Sequence, residues 1–199
     1  MALAEQYHPV IEKEHYTEAE YFEIERTSFG RWEYVNRKIR QMSGGTTDHG
    51  AVSSNLVRAL GNVLIPRGCR VYGSDVKIHT GNGINTFPDV SVFCEPNRYY
   101  LGKRDVVLNP LLIVEVLSPS TEAYDRGEKF DHYQTVETLT DYLLVEQDEA
   151  KVVLYTRRTD FWEMRVITGR TESVYLPSVE VTLSLDDIYV LVEFGAELQ

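Results

Sequence analysis

The chain has 199 residues, of which 43% are hydrophobic and 26% are charged, and its net charge is −11. This composition is typical of a globular protein, and the acidic balance argues against nonspecific coating of nucleic acid, which depends on neutralising phosphates. No apolar segment is long enough to cross a membrane and residues 1–20 lack the apolar region of a signal peptide, so we expect a cytoplasmic protein that contacts no membrane and folds as one domain over residues 1–199.

The first third of the chain predicts two helices around a strand or hairpin. TEAE at residues 17–20 matches a capping box and begins a short amphipathic helix that ends by Gly30. The alternating pattern of residues 32–43 predicts a strand or hairpin. One of residues 46–48 can cap a second helix over residues 49–64, where the apolar side chains have helical spacing.

The middle of the chain predicts a hairpin followed by a strand–helix–strand unit. Residues 69–80 and 86–93 read as two strands joined by a Gly-Asn turn. Residues 111–117, LLIVEVL, predict a buried central strand, residues 122–136 a helix, and residues 141–147 a further strand. Two strands joined by a helix of this length are expected to be parallel.

The last quarter of the chain predicts two more strands and a short helix. The strands cover residues 151–157 and 161–167, and Ser184 can cap a helix within residues 183–190. The resulting order, α-β-α-β-β-β-α-β-β-β, predicts a mixed α/β sheet. Cys69 and Cys94 form no CxxC pattern, so we expect both to be free and reduced.

Glu115 interrupts the apolar run of residues 111–117, which is typical of a strand buried on both faces. A buried carboxylate must be paired, protonated or bound to a cation, because burying it alone costs several kcal/mol. Asp89 follows Pro88 at the start of the preceding predicted strand, so both carboxylates can converge at one end of the sheet. Hard divalent cations such as Mg²⁺ prefer oxygen ligands of this kind, and the pattern therefore indicates a metal site.

Several short motifs lie along the chain: WEYVNRK, DHGAVSSNL, SDVKI, FPDVSVF, EVLSPST and DRGEKFDHY. Together they resemble the Uma2 family, also called the DUF820 group, of the PD-(D/E)xK nuclease superfamily, over nearly the whole chain. The resemblance implies an α/β fold with a restriction-endonuclease-like core, in which a mixed central β-sheet is flanked by helices. It also implies an endonuclease that uses Mg²⁺ or Mn²⁺ to hydrolyse phosphodiester bonds, with DNA as the expected nucleic acid.

The resemblance also implies which residues act. Asp89 and Glu115 would be the metal ligands, and Glu33 a further ligand or a water anchor. The superfamily's lysine belongs at position 117, where this chain has Leu117, and Lys129 on the following helix matches the displaced lysine of Uma2-like sequences. Lys129 would orient the attacking water or stabilise phosphate charge. We therefore predict that Lys129 points into the cleft.

Other residues are predicted to contact nucleic acid. Lys77 alternates onto one strand face with Asp75, where it can reach the cleft or form an ordinary ion pair. His49 opens a helix and can bind phosphate or act as a cap. A tyrosine-rich loop carries the remaining candidates, although such a loop is more often simply polar and mobile. These candidates are Arg98, Lys103 and Arg104.

Alternatives remain for the role of Glu115 and for the function of the whole chain. Glu115 can be a structural carboxylate paired with Lys77, Lys129 or Arg126. The whole chain can be a catalytically inactive nuclease-fold binding module, which the acidic charge and the missing in-strand lysine favour. It can also be a homodimeric interaction protein, and a homodimer is the expected assembly.

Overall fold

The computed structural model describes residues 13–42 and 44–195. Residues 1–12, on which the argument against a signal peptide partly depends, lie outside this part. Within the described ranges the helices are α1 (Glu18–Thr27), α2 (Thr47–Leu64), α3 (Glu122–Arg126), α4 (Glu128–Gln134) and α5 (Leu185–Ile188). The strands are β1 (Trp32–Val35), β2 (Lys38–Gln41), β3 (Arg70–Tyr72), β4 (Lys77–His79), β5 (Asn85–Thr86), β6 (Val90–Phe93), β7 (Val106–Val107), β8 (Leu112–Leu117), β9 (Asp141–Glu146), β10 (Lys151–Arg157), β11 (Trp162–Thr168), β12 (Ser173–Leu176) and β13 (Val181–Ser184).

The central sheet has six strands in the order β11-β10-β9-β8-β6-β3. β8 and β9 are parallel, as predicted for strands joined by a helical segment, whereas the other neighbours are antiparallel. A second sheet has the order β2-β1-β5-β4-β7, and β12 and β13 form a separate hairpin. The fold is therefore the expected mixed α/β arrangement with helices against the sheet.

Several helix boundaries follow from local chemistry. Thr17 caps α1 in a complete capping box with Glu20, and Thr46 caps α2 by accepting a hydrogen bond from the backbone N–H of His49. Ser184 caps α5, as predicted. The β1–β2 hairpin turns at Asn36 and Arg37, which both have positive φ, as a two-residue turn of this kind requires.

The central sheet packs apolar side chains on both faces. On one face, Val114 and Val116 of β8 pack in the core that also contains Leu56 of α2 and Leu183 of β13. On the other face, Ile113 and Leu117 pack with Phe130 and Tyr133 of α4. By strand alternation, Glu115 lies on this second face, so α4 covers the carboxylate predicted to be functional.

Three predicted elements are divided in the structure. Residues 69–80 were expected to form one strand, but β3 belongs to the central sheet and β4 to the second sheet. Residues 86–93 were also expected to form one strand, but β5 belongs to the second sheet and β6 to the central sheet. Residues 122–136 were expected to form one helix, but Gly127 separates α3 from α4. The hairpin of β12 and β13 was not predicted. The division of strands between sheets and the pairing of β12 with β13 depend on long-range packing, which local periodicity does not encode.

The prediction of two free cysteines is wrong, because Cys69 and Cys94 form a disulfide with Cα atoms 4.0 Å apart. The cause lies in the sheet register. Arg70 of β3 pairs with Phe93 of β6 in an antiparallel ladder. Cys69, just before Arg70, therefore lies opposite Cys94, just after Phe93.

No helix in the described part of the chain combines the length and apolar character needed to cross a membrane.

Candidate active site

The two predicted metal-binding carboxylates lie on adjacent strands at one end of the central sheet. Val90 pairs with Val114, so Asp89, just before β6, lies beside Glu115. The backbone N–H of Val116 donates to Asp89 Oδ2 at 2.8 Å, which fixes the aspartate against β8. Both carboxylates line a cavity of about 330 Å³.

Lys129 of α4 points into the same cavity. Its Nζ lies 2.8 Å from Glu115 Oε1 and 3.4 Å from Asp125 Oδ1. Tyr133, one turn further along α4, donates its hydroxyl to Glu115 Oε1 at 2.9 Å. Lys129, Glu115 and Asp125 are all buried, and with Asp89 they define what we call the carboxylate cleft.

The break at Gly127 positions these side chains. α3 and α4 are short segments on either side of that glycine, and Asp125 and Lys129, four residues apart, both turn toward β8. Glu128 and Asp131 are exposed, as expected for the outer side of α4. The helical segment thus presents an ammonium and a carboxylate to the strand that carries Glu115.

Several carboxylates share the cleft with the ammonium of Lys129. Burial raises the pKa of Glu115 well above its ordinary value, against the opposing effect of Lys129 and with the help of Asp125 and Asp89. Burial opposes the charge of Lys129, but the surrounding carboxylates of Glu115, Asp125, Glu33 and Asp89 raise the pKa of the ammonium. Lys129 therefore remains a cation, and one ammonium is shared among several carboxylates.

His49 contacts the other carboxylate. It lies in the first turn of α2, and its Nε2 is 3.2 Å from Asp89 Oδ2. This hydrogen bond raises the pKa of His49 above its ordinary value, although burial acts in the opposite direction. The sequence proposed phosphate binding or capping for His49, and the cap belongs instead to Thr46.

Glu33 of β1 lies next to the cleft rather than inside it. Its Oε2 accepts a hydrogen bond from Arg40 at 2.7 Å, and its Oε1 accepts from Thr86 and from the backbone N–H of Phe87. Although burial opposes its charge, Lys129, Thr86 and Arg40 hold the pKa of Glu33 below its ordinary value. Both oxygens of Glu33 thus already have protein partners.

Arg40 extends this neighbouring region toward solvent. Its guanidinium lies 4.4 Å from the centroid of the Tyr124 ring, and half of its side chain is exposed. Arg40 and Glu33 line a second cavity, of about 260 Å³, which shares Asp125 and Lys129 with the carboxylate cleft. The two cavities therefore meet at Lys129.

Arg31, which the sequence did not single out, lines the carboxylate cleft directly. Its Nη1 donates to Ser74 O at 2.7 Å and to Ser74 Oγ at 2.6 Å, and lies 3.3 Å from Asp75 Oδ1. The segment between β3 and β4 therefore holds Arg31 at the cleft. No local pattern indicates this, because the contact joins residues more than 40 positions apart.

Lys77 does not line the cleft, so the prediction that it contacts nucleic acid there is corrected. The side chain is buried, its Nζ donates to Glu25, and it lies 5.3–5.4 Å from the ring centroids of Tyr21, Phe22 and Phe87. Asp75 and Lys77 do not share a strand face, because Asp75 precedes β4 and is exposed, whereas Lys77 is buried against α1. Strand alternation could not show this packing.

The tyrosine-rich loop lies away from the carboxylate cleft. Lys103 lies over the ring of Phe22 of α1 at 4.4 Å, and Tyr100 stacks on His79 of β4. Arg98 and Arg104 are exposed, and none of these residues lines the cleft. Arg98, Lys103 and Arg104 thus form no common surface with Asp89 and Glu115 along the cleft.

The protein atoms alone do not make a complete metal-ion cage. Within residues 13–42 and 44–195, no group of three or more His, Cys, Asp or Glu side chains is arranged to hold a metal ion. Asp89 Oδ1 and Glu115 Oε2 accept no hydrogen bond from the described residues, in contrast to Asp89 Oδ2 and Glu115 Oε1. Each carboxylate therefore keeps one oxygen available for a ligand.

Comparison with known proteins identifies the family. Residues 18–187 match the model of the family Uma2, "Putative restriction endonuclease". Two proteins of Synechocystis sp. (strain ATCC 27184 / PCC 6803 / Kazusa) are similar: "Uncharacterized protein slr1290", 36% identical over 85% of this chain and 89% of that protein, and "Uncharacterized protein sll1609", 29% identical over 79% and 90%.

A solved structure supports the fold. The chain superimposes with a TM-score of 0.66 on a crystal structure described as "a putative nuclease belonging to DUF820" from Anabaena variabilis ATCC 29413. The identity is 24%, and the match covers 79% of this chain and 88% of the other. With the family model matched across most of the chain, and with the sheet and helices in the expected arrangement, this protein belongs to the Uma2 family.

Proposed function

We propose that this protein is an endonuclease that uses Mg²⁺, or Mn²⁺ in its place, to hydrolyse phosphodiester bonds of DNA. Asp89 and Glu115 hold the metal, and Lys129 assists the reaction. The description of the Uma2 family and of the Anabaena protein supports the assignment to nucleic acid. The arrangement of the protein's own residues supports phosphodiester hydrolysis as the reaction.

One observation carries the proposal: Asp89, Glu115 and Lys129 come from three separate elements and meet in one cavity. A lysine 2.8 Å from a buried glutamate can be a structural ion pair. That explanation leaves out Asp89 and Asp125, which bring two further carboxylates to the same cavity. A structural pair requires one carboxylate, whereas a cation site uses several oxygen ligands.

The residues fit a magnesium ion that is only partly coordinated by protein. Mg²⁺ commonly takes one or two carboxylates and completes its coordination with water and substrate phosphate oxygens. Asp89 Oδ1 and Glu115 Oε2 are the oxygens that would hold it, since their partner oxygens already accept hydrogen bonds. The ion would supply Lewis-acid stabilisation of phosphate charge and help to generate the attacking hydroxide.

The chain's own groups have separate tasks. Lys129 stays protonated, and its ammonium can turn from Glu115 toward a phosphate oxygen because its stem is flexible. His49 and the N–H of Val116 hold Asp89 in place. Arg31, at the cleft wall, can bind a phosphate oxygen next to the reacting one, since its guanidinium offers several donors in a fixed plane.

A second candidate function follows from the position of Lys129. Its ammonium already neutralises Glu115, and it reaches the site from α4 rather than from the strand. A nuclease-fold module that binds nucleic acid without cutting it would tolerate this arrangement. The first candidate requires that a divalent ion binds beside Lys129, and the second does not.

A cleavage assay separates the two candidates. Purified protein is incubated with single-stranded DNA, double-stranded DNA and RNA in Mg²⁺, in Mn²⁺ and in EDTA. Asp89→Ala is the test variant, and Asp131→Ala, an exposed aspartate on α4, is the matched control. We expect metal-dependent cleavage by the wild type and by Asp131→Ala, and a loss of about 10³-fold in Asp89→Ala.

Two results would contradict the endonuclease proposal. Cleavage that is equal in wild type and Asp89→Ala would come from a contaminant or from another site. Absence of cleavage on all substrates, together with salt-dependent binding of DNA and no binding of Mg²⁺ or Mn²⁺ by calorimetry, would identify the binding module.

A further inference from the structure

β11 is an edge strand with an unusually open outer side. It is seven residues long and pairs with β10 along its full length without a bulge. No strand in the described part of the chain pairs with its other side. Natural proteins usually shorten, bend or block such edges, because the unpaired backbone groups can bind another strand.

This edge strand exposes several large apolar side chains as well as charged ones. Phe161, just before the strand, is 63% exposed, Met164 is 58% exposed and Val166 is 53% exposed. Met164 and Val166 lie on the same strand face as Trp162, whose ring packs against Phe130 of α4. The apolar face of the sheet therefore continues past the region that α4 covers.

The charges of β11 alternate on the opposite face. Glu163 Oε1 accepts hydrogen bonds from Arg165 Nε at 2.9 Å and from Arg165 Nη2 at 2.8 Å. Arg158 also donates to Glu163. One acidic and one basic residue thus lie two positions apart on one strand, where each can meet its opposite in an antiparallel neighbour.

We propose that β11 pairs with β11 of a second copy of this chain, antiparallel and about a two-fold axis at Met164. The two six-stranded sheets then join into one continuous sheet. This is an isologous contact, in which the same strand serves both partners. It depends on β11 alone and not on the proposed nuclease activity.

Symmetry and charge select this register. In an antiparallel pair, opposite residues share a face, so a two-fold axis through the sheet must be centred on a residue. An axis at Met164 places Glu163 opposite Arg165 of the second copy, twice by symmetry. An axis at Glu163 or at Arg165 places like charges opposite each other, which is destabilising.

The apolar residues agree with the same register. With the axis at Met164, Trp162 lies opposite Val166 of the second copy, and Phe161 lies opposite Ile167. Pairs of an aromatic and a β-branched residue are favourable across strands. Met164 meets its own symmetry mate, and its flexible side chain can adapt to that contact.

The carboxylate cleft stays open in this dimer. Its residues come from β6, β8, α2 and the α3–α4 segment, whereas β11 is separated from β8 by β9 and β10. Substitutions on β11 are therefore expected to change assembly without changing the cleft. This separation keeps a test of the interface independent of a test of the nuclease.

Charge reversal on full-length protein tests the interface by sedimentation velocity, from low micromolar to several hundred micromolar protein. Wild type should be a dimer. Glu163→Arg and Arg165→Glu should each raise the dissociation constant about tenfold or more, because two opposite-charge pairs become like-charge pairs. An equimolar mixture of the two variants should form a heterodimer with affinity near that of the wild type, since each strand then meets the complementary charges.

The same sedimentation experiments include a control variant and can contradict the proposal. Tyr175→Lys, half-exposed on the separate β12–β13 hairpin, should leave the dimer unchanged, and circular dichroism should show that every variant is folded. The proposal is overturned if the wild type stays monomeric throughout the series. It is also overturned if either charge reversal dimerises like the wild type, or if the mixture fails to associate.

Discussion

Two lysines of this protein, Lys77 and Lys129, are both buried but have different surroundings. Lys77 is enclosed by aromatic rings and pairs with Glu25, while the carboxylate of Asp105, 3.8 Å away, is largely exposed to solvent. Lys129 is equally buried, but it lies among several carboxylates and on the wall of a cavity. The Lys77 site is closed by packing, whereas the Lys129 site gathers three carboxylates beside a cavity with space for a ligand.

Burial of a charged side chain does not by itself indicate a functional site. A buried ion pair is weak evidence for stability and no evidence for function, since its attraction roughly offsets its desolvation. What distinguishes Lys129 is the cluster of carboxylates around it, Glu115, Asp125 and Asp89, at the wall of a cavity. Carboxylates that converge on a cavity offer oxygen ligands to a cation.

The largest expected difference between the two lysines concerns activity. Lys129→Ala should lower the single-turnover cleavage rate by about 10³-fold, or ~4 kcal/mol in the barrier. Metal affinity should stay the same or increase, because a positive charge is removed from beside the metal ligands. Lys129→Arg should not restore the rate, because a planar guanidinium cannot replace a compact ammonium in a tight site.

Cleavage rates at saturating Mg²⁺ and calorimetric metal titrations of the three proteins check this prediction. Equal rates in all three would remove Lys129 from the mechanism. Lys77 would not replace it, because its ammonium is sealed under α1.

The next effect concerns stability, for which Lys77 rather than Lys129 is expected to matter. Lys77→Ala should lower the free energy of unfolding by about 3 kcal/mol, because it leaves Glu25 without its partner and removes packing against three rings. The double change Lys77→Met with Glu25→Gln should recover most of that loss. Urea denaturation gives the stabilities, and cleavage per folded molecule should be unchanged in both variants.

A third, smaller effect appears at Glu115 and depends on pH. Burial raises the pKa of Glu115, so this group stabilises the metal-free protein below the ordinary carboxyl pKa, and that contribution is lost as pH rises through the higher folded pKa. Glu115→Gln keeps an acceptor for Tyr133 but cannot ionise. It should match the wild type at acidic pH and equal or exceed it by up to ~2 kcal/mol at pH 8.

Urea denaturation in EDTA at several pH values measures that difference, and a parallel titration should find no metal binding by Glu115→Gln. A large loss of stability at neutral pH with metal affinity intact would instead make Glu115 a structural partner of Lys129, like Glu25 for Lys77.

The smallest effect is expected at the wall of the cleft. Arg31→Ala should raise the KM for DNA by about tenfold, or ~1.4 kcal/mol, with little change in kcat, because Arg31 would bind a phosphate that does not react. Arg67→Ala provides the control, since Arg67 follows α2, does not line the carboxylate cleft and donates to the backbone carbonyls of Val179 and Glu180. A fall in kcat without a change in KM would assign Arg31 to the reacting phosphate instead.

The sequence by itself determined the parts of this protein that depend on neighbours along the chain. The buried run of residues 111–117 and the cap at Ser184 follow from local periodicity and side-chain hydrogen bonding, and the sequence narrowed the cap of α2 to residues 46–48. The sequence also indicated that Asp89 and Glu115 can converge at one end of the sheet, because one begins a predicted strand and the other lies in the next strand of the sheet.

Only the tertiary structure decided which charges meet. It divided residues 69–80 between two sheets, placed Arg31 in the cleft and joined Cys69 to Cys94. It also paired Lys77 with Glu25, 52 positions away, and Lys129 with Glu115. A lysine in a strand or helix has the same local pattern whether it is sealed or faces a cavity, and only the packing of distant elements distinguishes the two, because the energy of a charge depends on everything that surrounds it.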